Sequence, residues 1–245
     1  MSAILHHSAL QPARLRADAR PPGRREGSQI RLGWPGLDPT MLCLDILIFD
    51  DSWSHAAPNG NDPVGNRYAE AIAAVTTLAR WMRTGRQKIA ILHFDHPRVP
   101  VVGPHRLDRR NDLQTLRAAL SIPVGVVGSS ELTPAMMAAN HLAEQHPDHT
   151  TRCTVFSDFE LTDRIAAQPC DEFRRFPGRV HAVALNAYPP DVLTGIPNVT
   201  VTRVASDDPP GMLAAALMHS LATGRRGARN PVLRGPKRSR GSASL

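Results

Sequence analysis

The stretch LDILIFDDSWS, residues 44–54, joins an apolar run to a cluster of oxygen-bearing side chains. Residues 46–49 are all apolar, which is typical of a strand buried on both faces of a parallel sheet. Such a strand would place two aspartates and two serines, all within residues 50–54, just beyond its carboxyl end. Ligands of open parallel sheets bind beyond the carboxyl ends of the strands, so this cluster is a candidate site.

The middle of the chain alternates strand-like and helix-like segments. Strands are predicted at residues 41–50, 88–95, 152–159, 179–185 and 199–204, with a short edge strand at 98–102 that contains Pro100. Apolar residues at helical spacing predict helices at 66–82, 111–120, 131–145, 171–176 and 209–223. Asn111 or Asp112 is suited to cap the second helix. The alternation predicts an α/β fold: a doubly wound, mostly parallel, Rossmann-like sheet with helices on both faces.

Both ends of the chain are basic and lack apolar periodicity. Residues 1–40 carry a net charge of +3 and residues 224–245 a net charge of +7, whereas residues 41–223 carry −3. Segments rich in Arg, Pro, Gly and Ser bury too little apolar surface to offset their ordering entropy. We therefore predict a disordered or linker segment at 1–40, one folded domain at 41–223 and a disordered basic tail at 224–245.

The composition also bears on where the protein works. No run approaches the roughly 20 apolar residues that a membrane-spanning helix needs. The first 20 residues lack the apolar core of a secretory signal. The three cysteines have neither zinc-site spacing nor an even number for disulfide pairing, which fits a reducing compartment. We expect a cytoplasmic protein that does not contact membranes.

Two further segments carry oxygen ligands next to predicted elements. GSSELTPAM, residues 128–136, is a Gly/Ser turn that opens a helix, and TVFSDFE, residues 154–160, is a strand that ends in Ser157 and Asp158. Hydroxyl and carboxylate oxygens suit hard cations such as Mg²⁺. A site with few carboxylates leaves such a cation under-neutralised, so that it attracts a carboxylate from outside.

In order and context, these three segments resemble the metal-ion-dependent adhesion site of von Willebrand factor type A (VWA) domains. The DxSxS motif that follows the first strand of that family matches Asp50, Ser52 and Ser54. The aspartate of the family's third loop matches Asp158, and Phe159 replaces the glycine that usually follows it. The resemblance covers about residues 41–223, or three quarters of the chain.

The second loop of the family departs further from this sequence. The family's threonine precedes an Ala-Leu pair by five residues, and Ala135-Met136 matches that pair. This spacing puts Ser130, rather than Thr133, at the threonine position. The substitution keeps a hydroxyl ligand and loses a methyl group.

The resemblance implies a non-catalytic protein-binding domain that holds Mg²⁺ or Mn²⁺. The metal-binding residues that it implies are Asp50, Ser52, Ser54, Ser130 and Asp158. The residues that border them are Asp51, Trp53, Thr133, Ser157 and Phe159. An Asp or Glu side chain of a protein partner would complete the coordination. Intracellular relatives often work alongside AAA-type ATPases or in multi-protein assemblies, which makes these the implied partners.

Other interpretations of the same residues stay open. Asp50 and Asp158 alternatively cap helices while the serines turn the chain, or the site is degenerate and binds no metal. Asp51 is either a solvated loop acid or a group that tunes the charge of the site. His93, Asp95 and His96 lie at the end of the second predicted strand. The histidines are interpreted as surface or hydrogen-bonded side chains rather than metal ligands.

Two other functions are alternatives to the protein-binding domain. A Mg²⁺-dependent hydrolase of the haloacid-dehalogenase kind would use Asp50 as nucleophile, but it needs an aspartate at position 52, where this chain has serine. The arginine-rich tail alternatively makes weak, non-specific contact with nucleic acid. No aromatic stacking platform accompanies these arginines in the sequence, so this function is secondary.

Overall fold

The computed structural model describes residues 30–52, 67–125 and 128–233. The strands within these ranges are β1 (Ile30–Arg31), β2 (Cys43–Phe49), β3 (Gln87–His93), β4 (Val102–Arg106), β5 (Thr150–Ser157), β6 (Arg179–Leu185), β7 (Val199–Val204) and β8 (Val232–Leu233). The helices are α1 (Arg67–Ala79), α2 (Arg110–Ala119), α3 (Thr133–Glu144), α4 (Gln168–Arg175), α5 (Asp191–Thr194) and α6 (Met212–Ala222).

The main sheet has six strands in the order β4-β3-β2-β5-β6-β7. All neighbours are parallel except β4, which runs antiparallel to β3. From β2 the chain first moves to β3 on one side and later to β5 on the other. The strand order therefore reverses at β2, and the crevice at such a reversal is where doubly wound sheets bind ligands.

Every residue of β2 is buried, because helices cover both faces of the sheet. On one face, Ile46 and Ile48 pack with Met136 of α3 and Phe173 of α4. On the other face, the core contains apolar residues of β2, α1, α2 and α6; among them are Leu47, Phe49, Val75, Leu116 and Leu217. This burial explains the continuous apolar run and confirms the predicted doubly wound, mostly parallel sheet.

Some predicted details are wrong. The edge strand occupies Val102–Arg106 rather than 98–102, because residues 94–98 form turns after β3. An edge strand accepts Pro104, which cannot donate to a neighbouring strand. Neither Asn111 nor Asp112 caps α2; the Asp112 carboxylate accepts a hydrogen bond from the Arg106 N–H instead. The single-turn helix α5 was not predicted.

The folded part also extends beyond the predicted boundaries of 41 and 223. β1 and β8 form a two-stranded antiparallel ribbon, and the N–H of Arg229 donates to the carbonyl oxygen of Trp34. Arg225 is buried, and its guanidinium donates to Gln87 Oε1 at 2.5 Å and to Asp38 Oδ1 at 3.4 Å. Residues 30–40 and 224–233 are therefore ordered by each other, which their composition did not indicate. Residues 1–29 and 234–245 lie outside the described part.

None of the helices in the described ranges combines the length and the hydropathy that crossing a membrane requires. The three cysteines are free thiols, and Cys43 and Cys153 are buried. Burial raises the pKa of the Cys153 thiol.

Candidate functional site

The first loop begins where β2 ends, and its described side chains, Asp50, Asp51 and Ser52, are buried. Asp50 still pairs with the sheet, since its N–H donates to the carbonyl oxygen of Phe156. Its Oδ1 accepts the N–H of Ser52 at 2.9 Å, and its Oδ2 accepts the Ser157 hydroxyl at 2.6 Å. Asp50 and Ser52 are 1% and 2% exposed. Asp50 therefore closes the first loop and fastens it to the end of β5.

The third loop follows β5 and turns sharply within three residues. Ser157 Oγ accepts the N–H of Phe159 at 2.8 Å, and Asp158 Oδ1 accepts the N–H of Glu160 at 3.0 Å. Asp158 is only 3% exposed. Phe159 has a φ of 59°, which is the left-handed region that favours glycine. The hydrogen bonds of this turn hold a bulky residue in a conformation that costs free energy.

The second loop is held from two sides by carboxylates. Asp95, which follows β3, accepts the N–H groups of Gly128 and Ser129 at 3.2 and 3.0 Å. Asp163, in the third loop, accepts those of Leu132 and Thr133 at 3.0 and 2.8 Å. Asp163 thereby satisfies donors that every helix leaves unpaired at its start, here at the start of α3.

A backbone bond links the second and third loops directly. The N–H of Thr162 donates to the carbonyl oxygen of Ser130 at 3.1 Å. With the Asp50–Ser157 and Asp163 contacts, this bond joins all three loops into one hydrogen-bonded unit at the carboxyl end of the sheet. The convergence rests partly on Asp95 and Asp163. The sequence did not single out Asp163, because its partners lie 30 and 31 residues away along the chain.

Asp51 lies at the centre of a buried ionic network. Its Oδ1 accepts Arg67 Nη2 at 2.7 Å and the hydroxyl of Tyr68, and its Oδ2 accepts His93 Nδ1 at 2.6 Å. Burial acts to raise the pKa of the Asp51 carboxyl, but the hydrogen bonds from His93 and Tyr68 and the charge of Arg67 outweigh burial and lower it. Asp51 is 1% exposed, so its interpretation as a solvated loop acid is wrong.

The same network explains the position of His93. Strand β3 ends at His93 beside β2, and the imidazole points to Asp51 rather than to solvent. The interpretation of His93 as a hydrogen-bonded histidine is therefore confirmed. Arg67 and Tyr68 begin α1, so the network anchors the first loop to both a helix and a neighbouring strand.

Comparison with solved structures identifies this arrangement of sheet and helices. No family model and no curated protein matches the sequence. The fold is similar to a von Willebrand factor type A structure from Catenulispora acidiphila, with 15% identity and a TM-score of 0.55 over 81% of this chain and 51% of that chain. The pilus adhesin SpaC of Lactobacillus rhamnosus GG matches with 11% identity and a TM-score of 0.60 over 76% of this chain and 30% of that chain.

A third similar structure, proximal thread matrix protein 1 of the mussel byssus, has 15% identity and a TM-score of 0.50 over 76% of this chain and 48% of that chain. The chain thus spans about half, or less, of each of these structures. The chain has a VWA fold. At these identities the similarity extends to the fold alone, and the loops must be judged on their own chemistry.

The VWA fold places four of the five predicted metal-binding residues in the joined loops. They are Asp50, Ser52, Ser130 and Asp158, and the bordering residues Asp51, Thr133, Ser157 and Phe159 lie in or next to the same loops. Ser54 and Trp53 lie outside the described residues. Phe159 stands where VWA domains usually have glycine, and its left-handed backbone is the physical reason for that preference.

The chemistry of the described loops fits a hydrated, hard cation. The side chains that these loops could offer to a cation carry mainly carboxylate and hydroxyl oxygens. The Thr133 hydroxyl, which is buried, has no hydrogen-bond partner among the described residues, and a buried hydroxyl of this kind is commonly satisfied by bound water. No cluster of three or more His, Cys, Asp or Glu suited to a metal occurs within 30–52, 67–125 and 128–233. The predicted site is not a cluster of that kind, because three of its five predicted metal-binding residues are serines.

Proposed function

We propose that the protein is a metal-dependent protein-binding module. In this proposal Ser52, Ser54 and Ser130 ligate Mg²⁺ or Mn²⁺ directly, and Asp50 and Asp158 hold the coordinated waters. The carboxylate of an Asp or Glu on the partner binds to the cation. The observation that carries the proposal is the joining of three chain-distant loops by hydrogen bonds at the strand-order reversal.

The contacts of the loops support a binding role for a second reason. Asp51 is neutralised by Arg67, so it adds no free negative charge beside the cation. Two carboxylates and three hydroxyls give less negative charge than Mg²⁺ sites that are built from carboxylates alone. The bound cation supplies a Lewis acid that prefers oxygen ligands and retains affinity for an external carboxylate.

Catalysis by a haloacid-dehalogenase-like mechanism finds less support. Position 52 holds a serine, so the carboxylate that would act as acid and base two residues after Asp50 is missing. The lysine nearest in the sheet, Lys88, is at the amino end of β3, whereas Asp50 follows the carboxyl end of β2. Hydrolysis of a phosphomonoester in Mg²⁺ that is abolished by Asp50→Asn would contradict the non-catalytic role.

The first test measures metal binding by thermal unfolding. A ligand that binds only the folded state raises the apparent stability by mass action, by about 2.7 kcal/mol at a hundred times its Kd. We expect Mg²⁺ to raise the melting temperature of the wild type but not that of Asp50→Ala. Glu160→Ala, which removes an exposed carboxylate from the third loop, is the matched control and should respond like the wild type.

The second test concerns the partner. The tagged protein is incubated with native lysate in Mg²⁺, in EDTA, and as the Asp50→Ala variant in Mg²⁺. We expect a partner retained only by the wild type in Mg²⁺. A partner held equally in all three samples would exclude coordination through the metal. By fold-level analogy we propose an AAA-type ATPase or a multi-protein assembly as the partner class, in the cytoplasm.

A further inference from the structure

An open groove of about 730 Å³ lies at the opposite end of the molecule from the three loops of the proposed metal site. We call it the tryptophan groove; its lining includes Trp34, Leu37, Trp81, Arg83 and Arg229. Trp81 follows the end of α1, and α1 runs from the carboxyl end of β2 to the amino end of β3. The groove therefore borders the amino ends of the strands, and nothing in the proposed metal site uses it.

The groove exposes large aromatic surface. Trp81 is 48% exposed and Leu37 is 58% exposed, whereas large apolar side chains of the core are almost fully buried. Trp34 is fixed from behind by Gly227, where a Cβ atom would lie 3.0 Å from the indole ring. Exposed tryptophans that are held in place are common at recognition sites, because a rigid ring loses little entropy on binding.

The groove is also basic. The side chains of Arg83 and Arg229 are exposed and make no ion pair with any residue that the structure describes. The acid in the lining, Asp38, accepts the N–H groups of Arg83 and Thr84 at 2.8 and 2.7 Å and pairs with the buried Arg225. Its charge is therefore already balanced, and the two exposed guanidinium groups are left to attract an anion.

In the sequence, a basic segment follows Arg229 and β8. β8 ends at Leu233 and pairs with β1, which is three residues from Trp34 in the sequence. The following residues 234–245 contain three arginines and one lysine with no acidic residue. Tertiary contacts thus bring Trp34 and Trp81 into one groove with Arg83 and Arg229.

We propose that the tryptophan groove binds single-stranded nucleic acid. Unpaired bases would stack on Trp81 and Trp34, and the phosphates would contact Arg83 and Arg229. Aromatic platforms beside basic side chains are the common design of proteins that bind single strands. An acidic peptide would satisfy the arginines but would leave the indole faces without a matching partner, so the combination favours bases and phosphates together.

The test uses the full chain and fluorescein-labelled 12-mers of oligo(dT) and oligo(U), with a DNA duplex of the same length as competitor, measured by fluorescence anisotropy. Stacking on an aromatic side chain contributes to the affinity for a single strand, so Trp81→Ala should weaken binding about tenfold. Trp81→Phe, which keeps an aromatic face, should restore most of the affinity. Tighter binding of either oligo(dT) or oligo(U) supports the proposal and identifies the strand type.

Charge variants separate the groove from the general positive charge. Arg229→Glu should weaken binding and lower the salt dependence, whereas Arg98→Glu makes the same charge change at an exposed arginine after β3 and should have little effect. Deletion of residues 234–245 should reduce the salt dependence of oligonucleotide binding. In the shortened chain, Trp81→Ala should still weaken binding by the same factor.

Three results would overturn the proposal. Equal affinity of the wild type and Trp81→Ala would show contact through charge alone. Competition by duplex as effective as that by unlabelled single strands would exclude stacking. Displacement of the oligonucleotide by poly-glutamate at equal charge concentration, with the same dependence on Trp81, would assign the groove to an acidic protein instead.

Discussion

Asp51 carries a charge that the protein buries, and the partners that compensate it come from two other elements. The guanidinium of Arg67, the hydroxyl of Tyr68 and the imidazole of His93 all contact its carboxylate. These partners are 16, 17 and 42 residues away in the sequence. The sequence alone therefore does not distinguish Asp51 from a solvated acid, because the residues that compensate its charge come together only on folding.

Arg67→Met should destabilise the protein strongly. The change removes the cationic partner and leaves the Asp51 carboxylate buried, which typically costs about 3–5 kcal/mol. We expect a loss near the lower end of that range in urea unfolding, because His93 and Tyr68 remain. The double variant Arg67→Met/Asp51→Asn should lose less than the two single variants together. Additive losses would show that the two side chains do not interact.

His181 is a second buried titratable side chain, and it lies in the interior strand β6. Its Nε2 lies 2.8 Å from Thr202 Oγ1, and its Nδ1 has no hydrogen-bond partner among the described residues. Burial, with a smaller contribution from His219, lowers the pKa of this histidine from 6.5 to about 4. The folded protein therefore keeps His181 neutral at a pH where the unfolded chain binds a proton.

The free energy of unfolding should consequently fall on acidification between pH 6.5 and about 4. In that window the unfolded state binds more protons than the folded state, so stability rises with pH and is lost as pH falls. The contribution of His181 amounts to at most about 3 kcal/mol. His181→Gln should flatten the pH profile of urea unfolding, whereas the exposed-site control His141→Gln should not. Identical profiles for wild type and His181→Gln would contradict the assignment.

Helix α3 depends on a carboxylate from a distant loop for its beginning. Its own N-cap residue, Leu132, supplies no side-chain hydrogen bond, and Asp163 takes that role from the third loop. Pro134 lies in the first turn of α3, where a proline removes no intrahelical hydrogen bond. The same contact that starts the helix thus also sets the distance between the second and third loops.

Asp163→Ala should reduce both stability and metal affinity. Loss of a helix cap costs about 1 kcal/mol, and the second loop would lose one of its two carboxylate anchors. Glu70→Ala is the matched control, because Glu70 accepts two N–H groups at the start of α6 at 2.9 and 3.0 Å. Thermal unfolding should show similar stability losses, but a weaker response to Mg²⁺ only for Asp163→Ala. An equal response to Mg²⁺ in both variants would remove the proposed coupling.

The two ends of the described chain pack together at the amino ends of the strands. Arg225 donates to Gln87, whose amide donates to Asp45 at 2.6 Å, and Arg152 pairs with the same aspartate at 2.7 Å. This network includes residues of β2, β3 and β5. A residue beyond 223, Arg225, therefore supplies a hydrogen bond to a polar group of the sheet. Composition alone assigned those residues to a disordered tail, because it contains no information about partners elsewhere in the chain.

A fragment of residues 41–223 should therefore be less stable than a fragment of residues 30–233. The shorter fragment leaves Gln87 without Arg225 and removes the β1–β8 ribbon. We expect a loss of roughly 3 kcal/mol or more, comparable to breaking a buried polar pair. Urea unfolding of the two fragments measures the difference, and Arg225→Met in the longer fragment should reproduce part of it. Equal stability of the two fragments would support domain boundaries at 41 and 223.

The two proposed sites lie at opposite ends of the sheet and can be tested separately. The proposed metal site is formed by loops at the carboxyl ends of the strands, whereas the tryptophan groove borders the amino ends. Asp50→Ala should leave oligonucleotide binding unchanged, and Trp81→Ala should leave the response to Mg²⁺ unchanged. Failure of one proposal therefore carries no consequence for the other.

The sequence by itself determined the parallel strands of the sheet, most of the helices and the positions of the three loops. Apolar periodicity and motif order are local properties, so residues 44–54, 128–136 and 154–160 could be recognised without coordinates. Only the tertiary structure decided how Asp51 is compensated, that Asp95 and Asp163 hold the second loop, and that the chain ends pack together. Each of those outcomes depends on pairs of residues far apart in the chain, whose burial and contacts arise only when the strands assemble.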